Sequence, residues 1–138
     1  MMGSARRLLT DRCGAVLVET AICLPIVITM LLGMLTYGQY FMAAHSLQQA
    51  ANEASRAAIA AINEADRSRI VDESITKSVV GGGVYDQSLV RVQKRSQAPY
   101  YTVTVTYDIA KTGLPAASII PLPSGQIVRS STVKLVDL

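Results

Sequence analysis

The longest apolar stretch of the chain lies near its N-terminus and contains no charged side chain from Thr20 to Ala44. As a helix, these 25 residues rise about 38 Å, more than the roughly 30 Å of a bilayer's hydrocarbon core. One carboxylate, Glu19, precedes the stretch, and Pro25 lies within it. Because Pro25 has no amide hydrogen for the carbonyl of Ala21, we predict a helix kink there. The pattern predicts a membrane-length helix with one acid at its head.

The helical pattern continues beyond this stretch but becomes amphipathic. Small and apolar residues recur at helical spacing from Leu47 to Ile62, and polar side chains occupy the other face. We therefore predict one helix from about Ala15 to Ile62, with its first half in lipid and its second half outside it. The narrow alanine-rich stripe favours close approach to another surface, either the chain's own sheet or a partner.

A second helix is predicted at residues 64–80. Asn63 has a capping side chain, the acids Glu64 and Asp66 follow in the first turn, and glycines 81–83 end the pattern. The triple glycine lacks the lysine and hydroxyl residue of a phosphate-binding loop, so we interpret it as a helix stop.

From Leu89 the apolar period changes to two, which is typical of strands. Strands are predicted near residues 89–95, 100–109 and 127–136. The segment Lys94–Pro99 is turn-like and predicts a hairpin between the first two strands. Residues 112–125 contain three prolines, which predicts a long surface loop.

The charge distribution predicts how the chain is oriented in the membrane. The chain of 138 residues has a formal net charge of +3. Arg6, Arg7 and Arg12 against Asp11 place +2 of it in the first 14 residues. Basic residues mark the cytoplasmic side of a span, so we predict a single-pass protein with a cytoplasmic N-terminus. In the rest of the chain the positive and negative charges are nearly balanced, which argues against nucleic acid as a partner.

These elements predict an α+β fold shaped as a lollipop. It consists of a long N-terminal helix with a membrane half and an amphipathic half, a short second helix and a small three-stranded antiparallel sheet. The predicted domains are a leader peptide at 1–14, a transmembrane and assembly helix at 15–44, and an exported head at 45–138. Within the head, helices are expected at 45–62 and 64–80.

The candidate chemistry argues against an enzyme. The only histidine, His45, has no carboxylate three or four residues away. Cys13 and Cys23 lie before and inside the apolar stretch, so no Cys/His pair and no thiolate metal site is expected in the head. We predict no catalytic residue, no metal and no cofactor.

Gly14, followed by Ala-Val-Leu-Val-Glu19 and a long apolar helix, resembles the class III signal peptide of type IV pilins. In that family a prepilin peptidase cuts after the glycine on the cytoplasmic side, and the mature chain has glutamate as its fifth residue. The resemblance implies cleavage between Gly14 and Ala15. It also implies that Glu19 serves as a carboxylate in subunit assembly.

Three segments narrow the resemblance to the TadE family of pilin-like proteins of tight-adherence (type IVc) pilus systems. They are Arg12–Pro25, the pair Tyr37-Gly38, and Leu47–Ala58. Many members carry Phe at the position of Thr20, and the short major pilins carry Tyr. This departure, with the large C-terminal domain, argues for a minor pseudopilin over the major pilin.

The resemblance implies a structural subunit for pilus assembly or initiation, near the pilus tip. Implied partners are a prepilin peptidase, other pilin and pseudopilin subunits that contact the N-terminal helix, the inner-membrane platform of pilus assembly, and membrane lipid before assembly. The implied location is the bacterial inner membrane with a periplasmic head, and the pilus at the cell surface after assembly.

Two other functions remain open at this stage. The first is an unprocessed single-pass membrane protein whose periplasmic head binds a partner. The second is a membrane-tethered enzyme, although the sequence offers no catalytic constellation. The role of Glu19 also has three interpretations. Its carboxylate can pair with the new α-amino group of Ala15 within one chain, it can pair with that group between subunits, or it can be an acid at the membrane interface without a partner.

Overall fold

The computed structural model describes residues 12–81, 86–112, 121 and 125–135. Its elements are α1 (Arg12–Ala57), α2 (Glu64–Gly81), β1 (Val90–Gln97), β2 (Tyr100–Asp108) and β3 (Gln126–Lys134). The predicted α+β class, with a long N-terminal helix, a short second helix and a three-stranded antiparallel sheet, is confirmed. Leader residues 1–11, glycines 82 and 83, most of the proline-rich loop and the end of the third predicted strand lie outside the described residues.

The sheet has the order β1-β2-β3, and both neighbouring pairs are antiparallel. The predicted hairpin is present, but the prediction of a turn over Lys94–Pro99 was too long. β1 continues to Gln97, which pairs with Tyr100, so the turn consists of Ala98 and the cis-linked Pro99 alone. The polar composition of Lys94–Gln97 does not stop the strand, because these side chains either lie on the solvent side or reach α2.

α1 ends near Ala57, five residues before the predicted end at Ile62, and a 3-10 turn over Ala58–Ala60 follows it. The chain leaves the helical conformation at Ala61, which has φ −75° and ψ 141°. Asn63 then starts α2, because its side-chain oxygen accepts a hydrogen bond of 2.8 Å from the amide of Asp66. This is the capping geometry that the sequence predicted.

The chain divides into two units, Met1–Leu35 and Thr36–Leu138. The second unit contains the hydrophobic core. The part of α1 that lies in this unit contributes mostly alanine to that core. The buried members are Ala43, Ala44, Leu47, Ala50, Ala51, Ala54, Ala58, Val71, Ile75, Val79, Tyr101, Val103, Val105, Tyr107, Ile109 and Ile127. The alanine stripe therefore packs within the chain's own α+β core, which answers the alternative left open by the sequence.

Polar contacts also link the helices to the sheet. The hydroxyls of Ser55 on α1 and Ser131 on β3 lie 2.8 Å apart, and Ser55 is buried. The ammonium group of Lys94 on β1 donates to the carbonyl and hydroxyl oxygens of Ser68, at 3.1 and 2.7 Å, and to Asp72 at 2.6 Å. These contacts position β1 against α2 and β3 against α1.

Candidate membrane and assembly helix

The first unit is described from residue 12, within α1. The helix continues through Pro25 without a break. The hydroxyl of Thr20 donates to the carbonyl oxygen of Val16, and Thr29 donates to that of Pro25, each at 2.8 Å. Such bonds to the preceding turn let threonine lie in an apolar helix without an unsatisfied hydroxyl. The local chemistry therefore suits a helix in surroundings that contain no water.

This part of α1 exposes large apolar side chains on all sides. Twelve of them lie between Val16 and Leu35, and each is at least 47% exposed. The 18-residue window with the highest mean hydropathy, 2.4, has no residue buried inside the structure. Moving such a side chain out of water contributes about 1.5–3 kcal/mol, so this surface gains on the order of 20 kcal/mol from lipid or from partner helices. The described part of the chain therefore contains one helix long and apolar enough to cross a membrane.

The predicted site residues lie at the start of this helix. Gly14, Ala15 and Glu19 are all exposed on α1. Ala15 and Glu19 are four residues apart, so they share one face of the helix about 6 Å apart. Pro25 lies further along and belongs to a different part of the helix. Ala15 and Glu19 therefore lie one helical turn apart along α1.

Glu19 forms no hydrogen bond or ion pair with any side chain that the structure describes. It is flanked by the exposed apolar residues Val18 and Ile22. An acid at the centre of a membrane costs roughly 3 kcal/mol on insertion scales, and less near the interface. A basic group that approaches this carboxylate in apolar surroundings therefore gains a strong attraction.

Gly14 has open space around it, since a side-chain carbon built there meets no atom within 4 Å. The same holds for Gly38. A larger residue is sterically possible at both positions, so packing in the described structure does not require glycine at residue 14. A requirement for glycine there would have to come from a partner that binds the backbone closely.

The head offers fewer candidates for chemistry. His45 is exposed and lines a surface depression of about 300 Å³ together with polar side chains of α1, among them Gln49 and Glu53. Among the described residues, no three His, Cys, Asp or Glu side chains lie together as a metal site would require. Cys23 is an exposed free thiol. None of these groups forms a nucleophile–base pair.

Two contacts in the head have no strong signal in the sequence. The hydroxyl of Tyr37 donates to the carbonyl oxygen of Pro121 at 2.9 Å, which joins α1 to the proline-rich loop. The guanidinium of Arg67 donates to the carbonyl oxygen of Ala58 at 3.2 Å and to Glu64 at 3.1 Å. The pair Tyr37-Gly38 was noted in the sequence, but a partner 84 residues away is not predictable from local pattern.

Comparison with known families gives one finding. The family described as "TadE-like protein" matches residues 14–56, which is 43 of the 138 residues. The predicted resemblance to the TadE-like family is thereby confirmed over the N-terminal helix. No match was found among curated proteins or among solved structures. The family is a structural, pilus-related one, and the matched segment contains the whole apolar stretch together with Gly14, Ala15 and Glu19.

Proposed function

We propose that this chain is a minor pseudopilin of a tight-adherence (type IVc) pilus. The observation that carries the proposal is the match of residues 14–56 to the TadE-like family over a helix whose large apolar side chains are exposed from Val16 to Leu35 among the described residues. The core of the head is built from residues 43–127 without any contribution from that surface. The exposed helix is therefore the part of the molecule that serves lipid and partner subunits.

In this proposal the helix has two successive environments. Before assembly, the apolar stretch spans the inner membrane, with the basic leader in the cytoplasm and the head in the periplasm. After assembly, the same surface packs against the helices of other pilin and pseudopilin subunits at the pilus tip. The inner-membrane assembly platform passes the subunit from the first environment to the second.

Processing links the two environments. A prepilin peptidase removes residues 1–14, and the new α-amino group of Ala15 carries a positive charge. At about 4 Å and an effective dielectric near 20, this group attracts Glu19 by on the order of 4 kcal/mol. That is comparable to the several kcal/mol that an unpaired buried carboxylate costs. The shared helix face allows the pairing within one chain, and a neighbouring subunit can supply the same group.

Cleavage is the direct test. The full chain is co-expressed with the prepilin peptidase of its pilus system, extracted from membranes, and analysed by intact mass. We expect loss of residues 1–14 from the wild type and no cleavage of Gly14→Val. Gly38→Val is the matched control, because both glycines have open space around them and only Gly14 lies at the proposed cut.

A full-length mass for the wild type would overturn the pseudopilin proposal. That outcome favours the second function, an unprocessed single-pass protein whose periplasmic head binds a partner. Cleavage of Gly14→Val at the wild-type rate would show that the peptidase does not recognise this glycine.

A further inference from the structure

Among the described residues, no helix packs against one face of the sheet. In β2 the odd-numbered side chains are buried, and the even-numbered ones point to the opposite side. The register places odd-numbered residues of β1 and even-numbered residues of β3 on that same side. We call this surface the open sheet face. It includes Arg91, Gln93, Arg95, Thr102, Thr104 and Lys134.

The open sheet face carries Arg91, Arg95 and Lys134; the register also places Asp108 there, and its carboxylate is paired with Lys111 at 3.0 Å. All four carboxylates of α2 have ion-pair partners: Glu64 with Arg67, Asp66 and Glu73 with Arg69, and Asp72 with Lys94. In contrast, Arg91 and Arg95 are exposed and form no ion pair with any described carboxylate. Both arginines are therefore available to an anionic partner.

The groups between the two arginines are neutral hydrogen-bonding side chains. Gln93 lies between them on β1, opposite Thr104, and Arg95 lies opposite Thr102. The hydroxyls of Thr102 and Thr132 lie 2.9 Å apart, which extends the hydroxyl row to β3. A shallow depression of about 610 Å³ follows the β1–β2 part of this face. The face thus alternates positive charge with groups that both donate and accept hydrogen bonds.

The spacing suits an extended polymer. Arg91 and Arg95 are four residues apart on one strand, which places them about 13 Å from each other. Each guanidinium presents a planar fork that matches a carboxylate. The amide and hydroxyls between them match the hydroxyl groups of sugars. At the end of the face, the exposed ring of Tyr100 lies opposite Gln97 and beside Lys134.

We propose that the open sheet face binds an acidic polysaccharide, a chain of sugars that carry carboxylate groups. Single-stranded nucleic acid is the poorer fit, because its binding uses successive aromatic side chains, and this face has Tyr100 alone among the described residues. A lipid surface is also the poorer fit, because the centre of the face is occupied by threonine and glutamine, and Val128, which the register pairs with Thr106, is the one aliphatic side chain among the described residues of the face. The proposal requires an exported head and does not depend on pilus assembly.

Binding is measured with the full-length protein in zwitterionic detergent micelles. The probes are polygalacturonate, which has a carboxylate on each sugar, and neutral dextran. We expect binding to polygalacturonate that weakens as salt rises, and no binding to dextran. Arg91→Gln with Arg95→Gln should lose about tenfold or more in affinity, because two charge-assisted contacts are removed.

The matched control is Arg56→Gln with Lys77→Gln. These exposed cations also form no ion pair with a described carboxylate, and they lie on the helices. The control variant has the same net charge as the sheet variant, and we expect its affinity to change by less than about twofold. Equal losses in the two variants would show attraction by net charge alone and would overturn the proposal.

A second variant tests the neutral groups. Gln93→Ala with Thr104→Val keeps every charge and should weaken binding about threefold or more, since sugar hydroxyls lose their partners. An unchanged affinity would overturn the polysaccharide assignment. So would equal or tighter binding of the wild type to single-stranded DNA or to vesicles containing anionic lipid. Circular-dichroism melts establish that each variant is folded.

Discussion

The guanidinium carbon of Arg67 lies 5.6 Å from the centre of the Tyr101 ring, and both side chains are largely removed from solvent. Arg67 comes from α2 and Tyr101 from β2, so this cation–π contact holds a helix to the middle strand. The same guanidinium donates to the carbonyl oxygen of Ala58, the first residue of the 3-10 turn that follows α1. One side chain therefore contacts three elements of the head.

Replacing Arg67 should destabilise the head. Arg67→Ala removes the contact with Tyr101 and the hydrogen bond to Ala58, and we expect a loss of about 2 kcal/mol in the free energy of unfolding. The measurement is a denaturant titration followed by the tyrosine near-ultraviolet circular dichroism. Arg69→Ala is the control, since the Arg69 side chain is 62% exposed and its ion pairs lie at the surface. Equal losses would contradict the role given to Arg67.

The bond between Tyr37 and Pro121 should fix the proline-rich loop to α1. Tyr37→Phe keeps the ring and removes only the donor to the Pro121 carbonyl, so we expect about 1 kcal/mol of destabilisation. Proteolysis between residues 112 and 125 should become faster in the variant. Tyr100→Phe is the control, because the structure gives the exposed Tyr100 hydroxyl no partner among the described residues. Unchanged proteolysis in Tyr37→Phe would show that other contacts hold the loop.

A carboxylate in the first turn of α2 makes the stability of the head depend on pH. The hydrogen bond from Arg69, and then that from the Ile62 amide, lower the pKa of the Asp66 carboxyl below its ordinary value of 3.8. A carboxyl with a lowered pKa stabilises the folded state above the ordinary value, and this contribution is lost as pH falls through the folded-state pKa. We expect Asp66→Asn to lower the Tm at pH 7 and the gap to wild type to narrow below about pH 4.

Arg69→Gln removes the main cause of this shift and should reproduce the same pH dependence. A gap in Tm that stays constant from pH 7 to pH 2 would mean that ionisation of Asp66 contributes nothing to folding.

The periodicity of the sequence was sufficient to predict the type and order of the helices and strands, because each element has its own repeat. The cap at Asn63 was predictable for a related reason, since its partner is three residues away. The end of β1 was not, because it depends on pairing across the hairpin and on where Lys94 finds oxygen atoms on α2. The roles of Arg67 and Tyr37 also depend on partners distant in the sequence.

The candidate site at the start of α1 was predicted mainly from the resemblance to a known family and not from periodicity. The cleavage at Gly14 and Ala15 and the assembly role of Glu19 came from resemblance, whereas the kink at Pro25 came from the missing amide hydrogen of proline. The family match covers all four positions. The structure adds that Ala15 and Glu19 share a helix face. Cleavage, the pairing of Glu19 and the kink at Pro25 stay predictions, because each concerns a partner, a processed chain or a membrane.

Glu19 should be needed for assembly and not for insertion. Its carboxylate is exposed at the head of the apolar helix, so Glu19→Gln and Glu19→Ala are expected to insert and to be cut after Gly14. They should fail to support pilus assembly or to co-purify with partner pilins, because the α-amino group of Ala15 loses its counter-charge. Processing is read from intact mass and assembly from sheared pili. Wild-type pili from Glu19→Ala would exclude the pairing role.

The alanine-rich face of α1 has a consequence for conformational entropy. Alanine has no side-chain rotamers to lose, so the five buried alanines of this face are ordered on folding without the rotamer cost that leucine or methionine would add. The opposing strand presents Val103 and Val105, whose branched side chains are already restricted in χ1. The helix and the sheet can therefore meet with little loss of side-chain freedom, and most of the entropy lost in forming the head is that of the backbone.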